Sequence, residues 1–428
     1  MKRFLTFLCG TVLLAASGCG QASKPANQIE VWHWMTDRHE AFATLARQYE
    51  EQTGIKIKLE LFAPSDTYTQ KITAAAQANV LPDLYGILDK KSIVGAFIKA
   101  GLVADLTADF EANNAAWEKA MYPKALDVMR FSAGNIDEVK PGIYGAPLDV
   151  TNIQMVYNKE LLKKAGITRV PATFDDFLAA IDALKRVGVA PFVSGFGEMW
   201  IVDCFASNYA FNIMGQDKVM ATFRGEVKYT DPDWVKVLTI FKTLADRGAF
   251  IDGIVTKGNK YAEQDFALGR AAFAFNGSWC VNVYRDMNPD LDYGVASLPA
   301  MDQSRPVRSW GGAGSSLVVN GNSSNKDKAI AFLKWLTAKE QQAYFAETTN
   351  NLPANRDAGT AISPVLAEFS RLVEHTTHPS IWPLNEDPLV IEAFDKGIQA
   401  IIIGDKTPVE IAEQVQSVKE RQMKKAAK

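Results

Sequence analysis

The sequence contains few of the residues on which metal sites and nucleophilic active sites depend. It has four cysteines and four histidines in 428 residues, and no pair of them has metal-ligand spacing. A His-Glu-x-x-His zinc motif and a Gly-x-Ser-x-Gly nucleophile elbow are both absent. His375 and His378 are three residues apart, but the neighbouring Pro379 favours a loop over a helical metal site. We therefore predict neither a metal nor a cofactor.

No sign of charge dominates the composition. The 46 basic and 49 acidic residues give a net charge of -3, which does not indicate a nucleic-acid partner. There is no low-complexity tract and no repeat at solenoid periods. Hydrophobic residues make up 47% and charged residues 22% of the chain, a normal balance for globular proteins. The length predicts two or three compact units.

The N-terminal apolar segment is too short to span a bilayer comfortably. Phe4–Ser17 follows the basic Lys2-Arg3 pair, an order typical of a secretory signal peptide. Ala16-Ser17-Gly18-Cys19 resembles a bacterial lipobox, although Ala16 replaces the usual leucine. The resemblance implies a signal peptide over 1–18, an acylated Cys19, and a flexible tether over 19–28 as the only membrane contact. Plain signal cleavage near the same place is the alternative.

Strands and helices alternate along the rest of the chain. Ile55–Leu61 alternates strictly between apolar and polar residues, which predicts a strand. The preceding apolar positions have helical spacing, and Gly54 ends that helix. The alternation restarts near residue 170, where Thr173 and Asp176 predict a capping box. This order predicts α/β lobes with mostly parallel sheets.

The segment Ile143–Lys159 is extended and long enough to leave one lobe and enter another. Within it, Tyr144-Gly145-Ala146-Pro147 and Val156-Tyr157-Asn158-Lys159-Glu160-Leu161 resemble the first interlobe crossover of the family 1 extracellular solute-binding proteins, the sugar-binding subunits of ABC importers. The resemblance implies an α/β periplasmic-binding-protein-like fold. Two discontinuous lobes would be joined by a multi-strand hinge, with a ligand cleft between them.

A second crossing is predicted at Trp310–Val319, where the chain rejoins the first lobe. The predicted N-terminal lobe is 29–149 plus about 309–355, and the predicted C-terminal lobe is 150–308 plus about 356–428. Asp149–Gln154 and Arg308–Gly312 would form the hinge. Strand ends and helix N-termini face the cleft in such folds, so ligand-binding residues are expected there.

Tryptophans are the main candidates for sugar contacts. Three of the nine lie on helical apolar stripes and are predicted to be core residues, namely Trp117, Trp234 and Trp335. The others follow strands or lie in loops, where an indole face can stack on a pyranose ring. Trp32 and Trp34 share one side of an extended segment, and Trp34 is preferred because it lies nearer the loop. The predicted contacts are therefore Trp34, Trp200, Trp279, Trp310 and Trp382, each with half-buried packing as its alternative role.

Acidic and amide side chains near these rings could bind sugar hydroxyls. Asp37 follows Trp34 and could instead cap a helix. Asp83 belongs to a Pro-Asp pair that resembles one in the family's first lobe, with a structural turn as its alternative role. Asp149 lies in the crossover, and Glu198 lies beside Trp200.

Three further candidates come from loops. Asn276-Gly277-Ser278-Trp279 resembles a recurrent family motif, and the Asn276 amide can both donate and accept. Gly312 belongs to Trp310–Gly314, where glycines allow close backbone approach and no Lys-Ser/Thr follows as in a nucleotide-binding loop. Arg356 could form charge-assisted bonds to hydroxyls or lie exposed on the surface.

The resemblance implies a monomeric, lipid-anchored, extracytoplasmic protein on the periplasmic side or the outer cell surface. It would close on a mono- or oligosaccharide and deliver it to the transmembrane subunits of an ABC permease, without covalent chemistry. Two alternatives remain open. The solute could be a polyamine, peptide or metal, or the protein could be a secreted glycan-active hydrolase, because paired catalytic carboxylates look the same in sequence. Whether Cys204 and Cys280 form a disulfide also remains open.

Overall fold

The computed structural model describes residues 27–87, 91–135, 137–358, 362–377 and 386–426. The predicted signal peptide, Cys19 and Trp382 lie outside these residues. Over the described part of the chain, no helix has the length and apolar character needed to cross a membrane. The chain folds as mixed α/β structure, which confirms the predicted fold class.

The first part of the chain alternates strands and helices as predicted. Gly54 ends the first helix in a left-handed conformation, with φ +71°, which glycine adopts without steric cost. The elements of this part are β1 (Gln28–His33), α1 (His39–Thr53), β2 (Lys56–Leu61), α2 (Ser65–Gln77), β3 (Leu84–Ile87), α3 (Lys91–Lys99), α4 (Thr107–Ala120), α5 (Pro123–Leu126), β4 (Arg130–Phe131) and β5 (Gly142–Ile143).

The middle part begins with a 13-residue strand and then repeats the alternation. Thr173 and Asp176 form the predicted capping box. The elements are β6 (Ala146–Asn158), α6 (Lys159–Lys164), α7 (Phe174–Arg186), β7 (Ala190–Val193), α8 (Met199–Phe223), α9 (Pro232–Asp246), α10 (Asn259–Ala267), β8 (Ala271–Gly277), α11 (Cys280–Met287) and β9 (Tyr293–Ala296).

The last part returns to the first lobe and ends in two packed helices. Its elements are β10 (Ser309–Val319), α12 (Lys326–Leu336), α13 (Lys339–Thr349), β11 (Leu352–Pro353), α14 (Pro364–Leu372), β12 (Thr376–Thr377), α15 (Pro388–Ile402) and α16 (Pro408–Ala426). Short 3-10 helices lie at Thr36–Arg38, Ile254–Thr256 and Val373–His375.

The strands form one continuous sheet in the order β2-β1-β3-β10-β6-β8-β7. β1 pairs in parallel with β2 and β3 at one side, and β7 pairs in parallel with β8 at the other. The long strands β6 and β10 run antiparallel to each other between these two groups. The prediction of a mostly parallel sheet therefore holds for β1, β2 and β3, whereas in the C-terminal part only β7 and β8 pair in parallel and β6 pairs antiparallel with both β8 and β9.

The hinge strands pair over the residues expected from the sequence. Gly311 pairs with Asn152, and Gly312 pairs with Thr151. The register then shifts around Gly314, where an added Cβ would lie 2.7 Å from Asp149 Oδ2. This close approach requires glycine.

Hydrophobic cores lie on both sides of the hinge. One core packs α7, α8, α9, α15 and α16 against the C-terminal strands, and another packs α1 and α12 against the N-terminal strands. A third core contains residues of β3, β6, β8 and β10, and it therefore extends along the sheet from one lobe to the other. Trp234 is fully buried, and Cys204 and Cys280 are buried free thiols. We propose that the chain passes between the N-terminal and C-terminal lobes near residues 149, 309 and 355.

Candidate functional site

The carboxyl ends of parallel strands from both lobes point into one region. Trp34 to Arg38 follow β1, Gly195 to Trp200 follow β7, and Ser278 with Trp279 follows β8. Across this region Asn282 Nδ2, from α11, donates to the main-chain oxygen of Asp37 over 3.0 Å. The lobes therefore meet here, and the segments between them form the walls of a cleft.

The N-terminal wall is built around Trp34. Its ring lies over Gly86, where an added Cβ would be 2.5 Å from Trp34 Cζ3. The ring of Tyr68 lies beside it, with centroids 5.3 Å apart and a 41° interplanar angle. Tyr68 is fixed because its hydroxyl donates to Gly86 O over 2.7 Å. Trp32, by contrast, is buried at 8% exposure, so the structure leaves Trp34 as the accessible ring of the pair.

The C-terminal wall contains two indoles. Trp200 and Trp279 are both partly exposed, with centroids 5.8 Å apart at 55°. Trp200 Nε1 donates to Glu198 Oε2 over 2.7 Å, and Trp279 Nε1 donates to Glu263 Oε1 over 2.8 Å. Both indole N–H groups are therefore satisfied by carboxylates, and the rings can offer a ligand their apolar faces.

A buried ionic cluster supports the N-terminal wall. Arg38 Nη1 lies 2.7 Å from Asp149 Oδ2, and Ser315 Oγ donates to Asp149 Oδ1 over 2.5 Å. Arg38 also donates to Asn351 Oδ1 over 3.1 Å. Burial raises the pKa of Asp149 even though Arg38 opposes that shift. The cluster ties the short helix after Trp34 to the hinge strand β6.

Asp37 lies at the contact between the lobes. Its carboxylate is 3.3 Å from Arg38 Nε. Burial acts to raise the pKa of Asp37, but Arg38 and then Lys260 outweigh it, so the pKa is lowered. Lys260 belongs to α10 of the opposite lobe, and its side chain is 47% exposed. Asp37 is thus held ionised where both lobes contribute positive charge.

The remaining predicted residues near the cleft have structural partners. Asn276 is buried, and its amide contacts Glu263 and the Tyr284 hydroxyl, both at 3.3 Å. Trp310 is partly exposed at the C-terminal-lobe end of β10 and packs on that lobe's core. Gly312 is buried in β10, where it pairs with Thr151 on the hinge strand.

The structure does not bring Asp83 or Asp149 to the cleft surface, and the main chain of Arg356 bonds to the end of α4. Asp83 precedes β3 and so lies at its amino-terminal end, away from the cleft, where it accepts bonds from Glu30 N at 2.9 Å and Ser323 Oγ at 2.7 Å. Asp149 is fully buried in its ion pair. Arg356 is exposed, and its main-chain N–H donates to Ala120 O over 2.9 Å. The expectations for Asp83 and Asp149 are corrected accordingly, and the ligand contact of Arg356 stays a prediction.

Sequence reasoning missed the residues that support the rings. Tyr68, Arg38, Glu263 and Asn282 lie in or beside helices, where their spacing resembles an ordinary core stripe or solvated face. The only local signal is Lys260 with Glu263 at i,i+3, a spacing typical of helix surface pairs. Among the described residues, no group of three or more His, Cys, Asp or Glu could hold a metal ion.

Known proteins are similar to this chain over most of its length. A family model described as bacterial extracellular solute-binding protein matches residues 44–373. A protein of Brucella abortus (strain 2308) described only as a binding protein is 24% identical over 415 residues, covering 94% of this chain and 93% of the relative. The maltooligosaccharide ABC transporter solute-binding lipoprotein of Streptococcus pneumoniae (strain R6) is 23% identical over 395 residues, covering 82% of this chain and 80% of the relative.

Solved structures match over nearly the whole chain. One described as a chitin oligosaccharide binding protein has a TM-score of 0.80 at 20% identity, covering 92% of this chain and 98% of that one. At this identity the likeness shows the fold alone, and it confirms the two-lobed architecture predicted from the sequence.

Proposed function

Since the chain belongs to the bacterial extracellular solute-binding proteins, we propose that it captures a mono- or oligosaccharide between its lobes and delivers it to an ABC permease. The observation that carries the proposal is the cleft with indoles on both walls, Trp34 beside Tyr68 on one and Trp200 with Trp279 on the other. Aromatic faces pack against the C–H faces of pyranose rings. Relatives named for maltooligosaccharide and diacetylchitobiose binding support this class of ligand.

Binding would close the lobes about β6 and β10. Two contacts already join the lobes in this structure, from Asn282 to the Asp37 carbonyl at 3.0 Å and from Arg285 Nη2 to Thr348 O at 3.4 Å, and opening of the lobes would break them. A ligand held by both walls binds the closed form better than the open form, so it shifts the equilibrium towards closure. The permease would then recognise the closed form.

The proposed location is extracytoplasmic, with the protein held to the membrane as a monomer by lipid on Cys19. The lipobox-like segment ending at Cys19 and the lipoprotein name of the Streptococcus pneumoniae relative support this. Metabolic labelling with a fatty-acid analogue, compared between wild type and Cys19→Ala, tests the anchor. Equal labelling of both proteins would contradict it.

We propose binding without turnover, because the carboxylates nearest the rings have other partners. Glu198 and Glu263 accept indole N–H bonds. Asp149 has a raised pKa, as a general acid needs, but it is fully buried against Arg38 and Ser315. Product analysis after prolonged incubation with oligosaccharides should show no cleavage, and turnover by purified protein would favour the hydrolase alternative.

Isothermal titration calorimetry tests the ligand class. The purified mature protein would be titrated with oligosaccharides of glucose, N-acetylglucosamine and xylose, and with polyamines, peptides and divalent metals. We expect saturable binding of at least one carbohydrate, with thermal stabilisation that grows with ligand concentration. Failure of all carbohydrates together with tight binding of a cation or peptide would overturn the proposed ligand class.

A further inference from the structure

The two carboxylates that hold the indoles are joined through one residue. Asn259, the first residue of α10, donates its main-chain N–H to Glu198 Oε1 over 2.7 Å. Its side-chain Nδ2 donates to Glu263 Oε1 over 2.9 Å. Since Glu198 holds Trp200 and Glu263 holds Trp279, the start of α10 fixes both rings of the C-terminal wall.

Glu263 is the more deeply placed of the two carboxylates. Its side chain is fully buried, and Lys260 Nζ lies 3.0 Å from its Oε2. Burying a carboxylate is costly unless a cation and hydrogen-bond donors surround it. Lys260 supplies the cation, and the donors are Asn259, Asn276 and the Trp279 indole. A carboxylate makes a stronger bond to the indole N–H than an amide oxygen does.

The Trp279 ring has little freedom between its two supports. Its face lies on Gly277, where a Cβ would overlap the ring carbons. Its N–H is fixed by Glu263 at 2.8 Å. A ring held in this way loses little conformational entropy when a ligand stacks on it.

We propose that Glu263 is a positioning residue that sets the orientation of Trp279 for ligand stacking, acting through the indole N–H without touching the ligand itself. This inference rests on the proposed function for the nature of the ligand. The ring orientation, however, is a property of the ligand-free protein and can be measured without any sugar.

Circular dichroism of the ligand-free protein provides that measurement. Two indoles with centroids 5.8 Å apart at 55° should give an exciton couplet, which Trp200→Phe would identify by abolishing it. We expect Glu263→Leu to remove or invert the couplet, because Trp279 loses its acceptor. Glu263→Gln should keep it, because the amide oxygen still accepts. The matched control is Glu392→Gln on α15, which removes an exposed pair with Lys396 and should change nothing.

A double-mutant cycle with the best-binding oligosaccharide provides the second measurement. Glu263→Leu should weaken binding about tenfold in the wild-type background, the scale of one lost orienting hydrogen bond. In a Trp279→Phe background it should have little further effect, because phenylalanine has no N–H to hold. If Glu263→Leu does not fold, Glu263→Gln carries the same cycle: its amide oxygen keeps the mean ring orientation but holds the N–H more weakly than a carboxylate, so a loss of up to a few fold is expected, and it should vanish in the Trp279→Phe background.

Two results would overturn the proposal. One is an unchanged couplet in folded Glu263→Leu, and the other is an equal loss of affinity with and without the Trp279 indole. If no carbohydrate binds the wild-type protein, the proposed function fails, while the couplet still decides whether Glu263 orients the ring.

Discussion

The two walls of the cleft use the same side chain in different ways. In the C-terminal wall, Trp200 and Trp279 donate their N–H groups to glutamates. In the N-terminal wall, the Trp34 N–H makes no hydrogen bond with any residue that the structure describes, while its ring lies on Gly86 beside Tyr68. The C-terminal wall can therefore offer ring faces, whereas the N-terminal wall can offer a ring face and a donor. The N-terminal wall would bind a hydroxyl of the ligand, and both walls would pack against the ligand's apolar faces.

The largest effect is expected from the ionic support of the N-terminal wall. Arg38→Met removes the cation that pairs with buried Asp149 at 2.7 Å. Because the carboxylate then stays buried without its partner, the free energy of unfolding should fall by about 3–5 kcal/mol. Urea denaturation followed by fluorescence measures this change.

The double variant Arg38→Met with Asp149→Leu is the control for that loss. It removes both charges and should recover a substantial part of the stability, because no unpaired ion remains buried. Wild-type stability in the single variant would show that the pair does not support this wall. A double variant less stable than the single would show that the hydrogen bond that Asp149 accepts from Ser315 Oγ matters more than the unpaired charge.

The next effect concerns affinity and compares the walls directly. Trp279→Ala and Trp34→Ala each remove one stacking surface, and each should cost about 2 kcal/mol or more of binding free energy, roughly thirtyfold in Kd. Folding should be retained, because both rings are partly exposed. Titration calorimetry with the preferred oligosaccharide measures the loss, and unchanged Kd for one variant would remove that ring from the site.

Local features of the fold were predictable from sequence, but long-range pairings were not. Gly54 and the Thr173 capping box depend on neighbouring residues, and both were predicted correctly. The Arg38–Asp149 and Glu263–Trp279 contacts join segments that only the tertiary fold brings together. The local sequence around each of these residues therefore gave no indication of which residue it contacts.

Asp83 shows a different reason for error. The strand after Asp83 was predicted correctly. Asp83 precedes this parallel strand, so it lies at the amino-terminal end of the sheet. The cleft is at the carboxyl ends of the strands, and the position of Asp83 before β3 therefore already argued against ligand contact. Trp34, Glu198 and Trp279 follow their strands and so lie at the carboxyl ends, and their contact with a ligand stays a prediction.

Acid should lower the free energy of unfolding through His33. His33, which precedes Trp34, is buried and accepts from Met35 N over 3.2 Å at Nδ1, while its Nε2 lies 3.1 Å from His39 Nδ1. Burial first, then His39, lowers the pKa of His33 from its ordinary value of 6.5 to about 3. Between pH 6.5 and about pH 3, His33 therefore binds a proton in the unfolded chain but not in the folded protein. Stability should thus fall as pH drops from 6.5 towards 3, by up to about 1.4 kcal/mol per pH unit from this group.

His33→Asn isolates this contribution from the carboxylates that also titrate in acid. The asparagine oxygen can still accept from Met35 N, but the side chain does not titrate. The variant's stability should show a shallower pH dependence than the wild type below 6.5, measured by urea denaturation across the window. Parallel slopes would mean that His33 is protonated in the folded protein.

The smallest effect tests the Trp34 N–H, which has no hydrogen-bond partner in the part of the chain that the structure describes. Trp34→Phe keeps an aromatic face over Gly86 and removes the N–H, so a ligand hydroxyl bonded there would lose its donor. The expected cost is about 0.5–1.5 kcal/mol, two- to tenfold in Kd. Trp335→Phe is the matched control, because the Trp335 N–H donates to Gln52 at 3.0 Å on the far side of the N-terminal lobe. The affinity of this variant should equal that of the wild type.

Deoxy sugars that each lack one hydroxyl, tested on the wild type and both variants, identify the ligand hydroxyl that Trp34 would contact. The deoxy sugar that binds Trp34→Phe and the wild type equally well lacks that hydroxyl. If Trp34→Phe binds every sugar as tightly as the wild type does, the N-terminal wall presents only a ring face, and the two walls act alike.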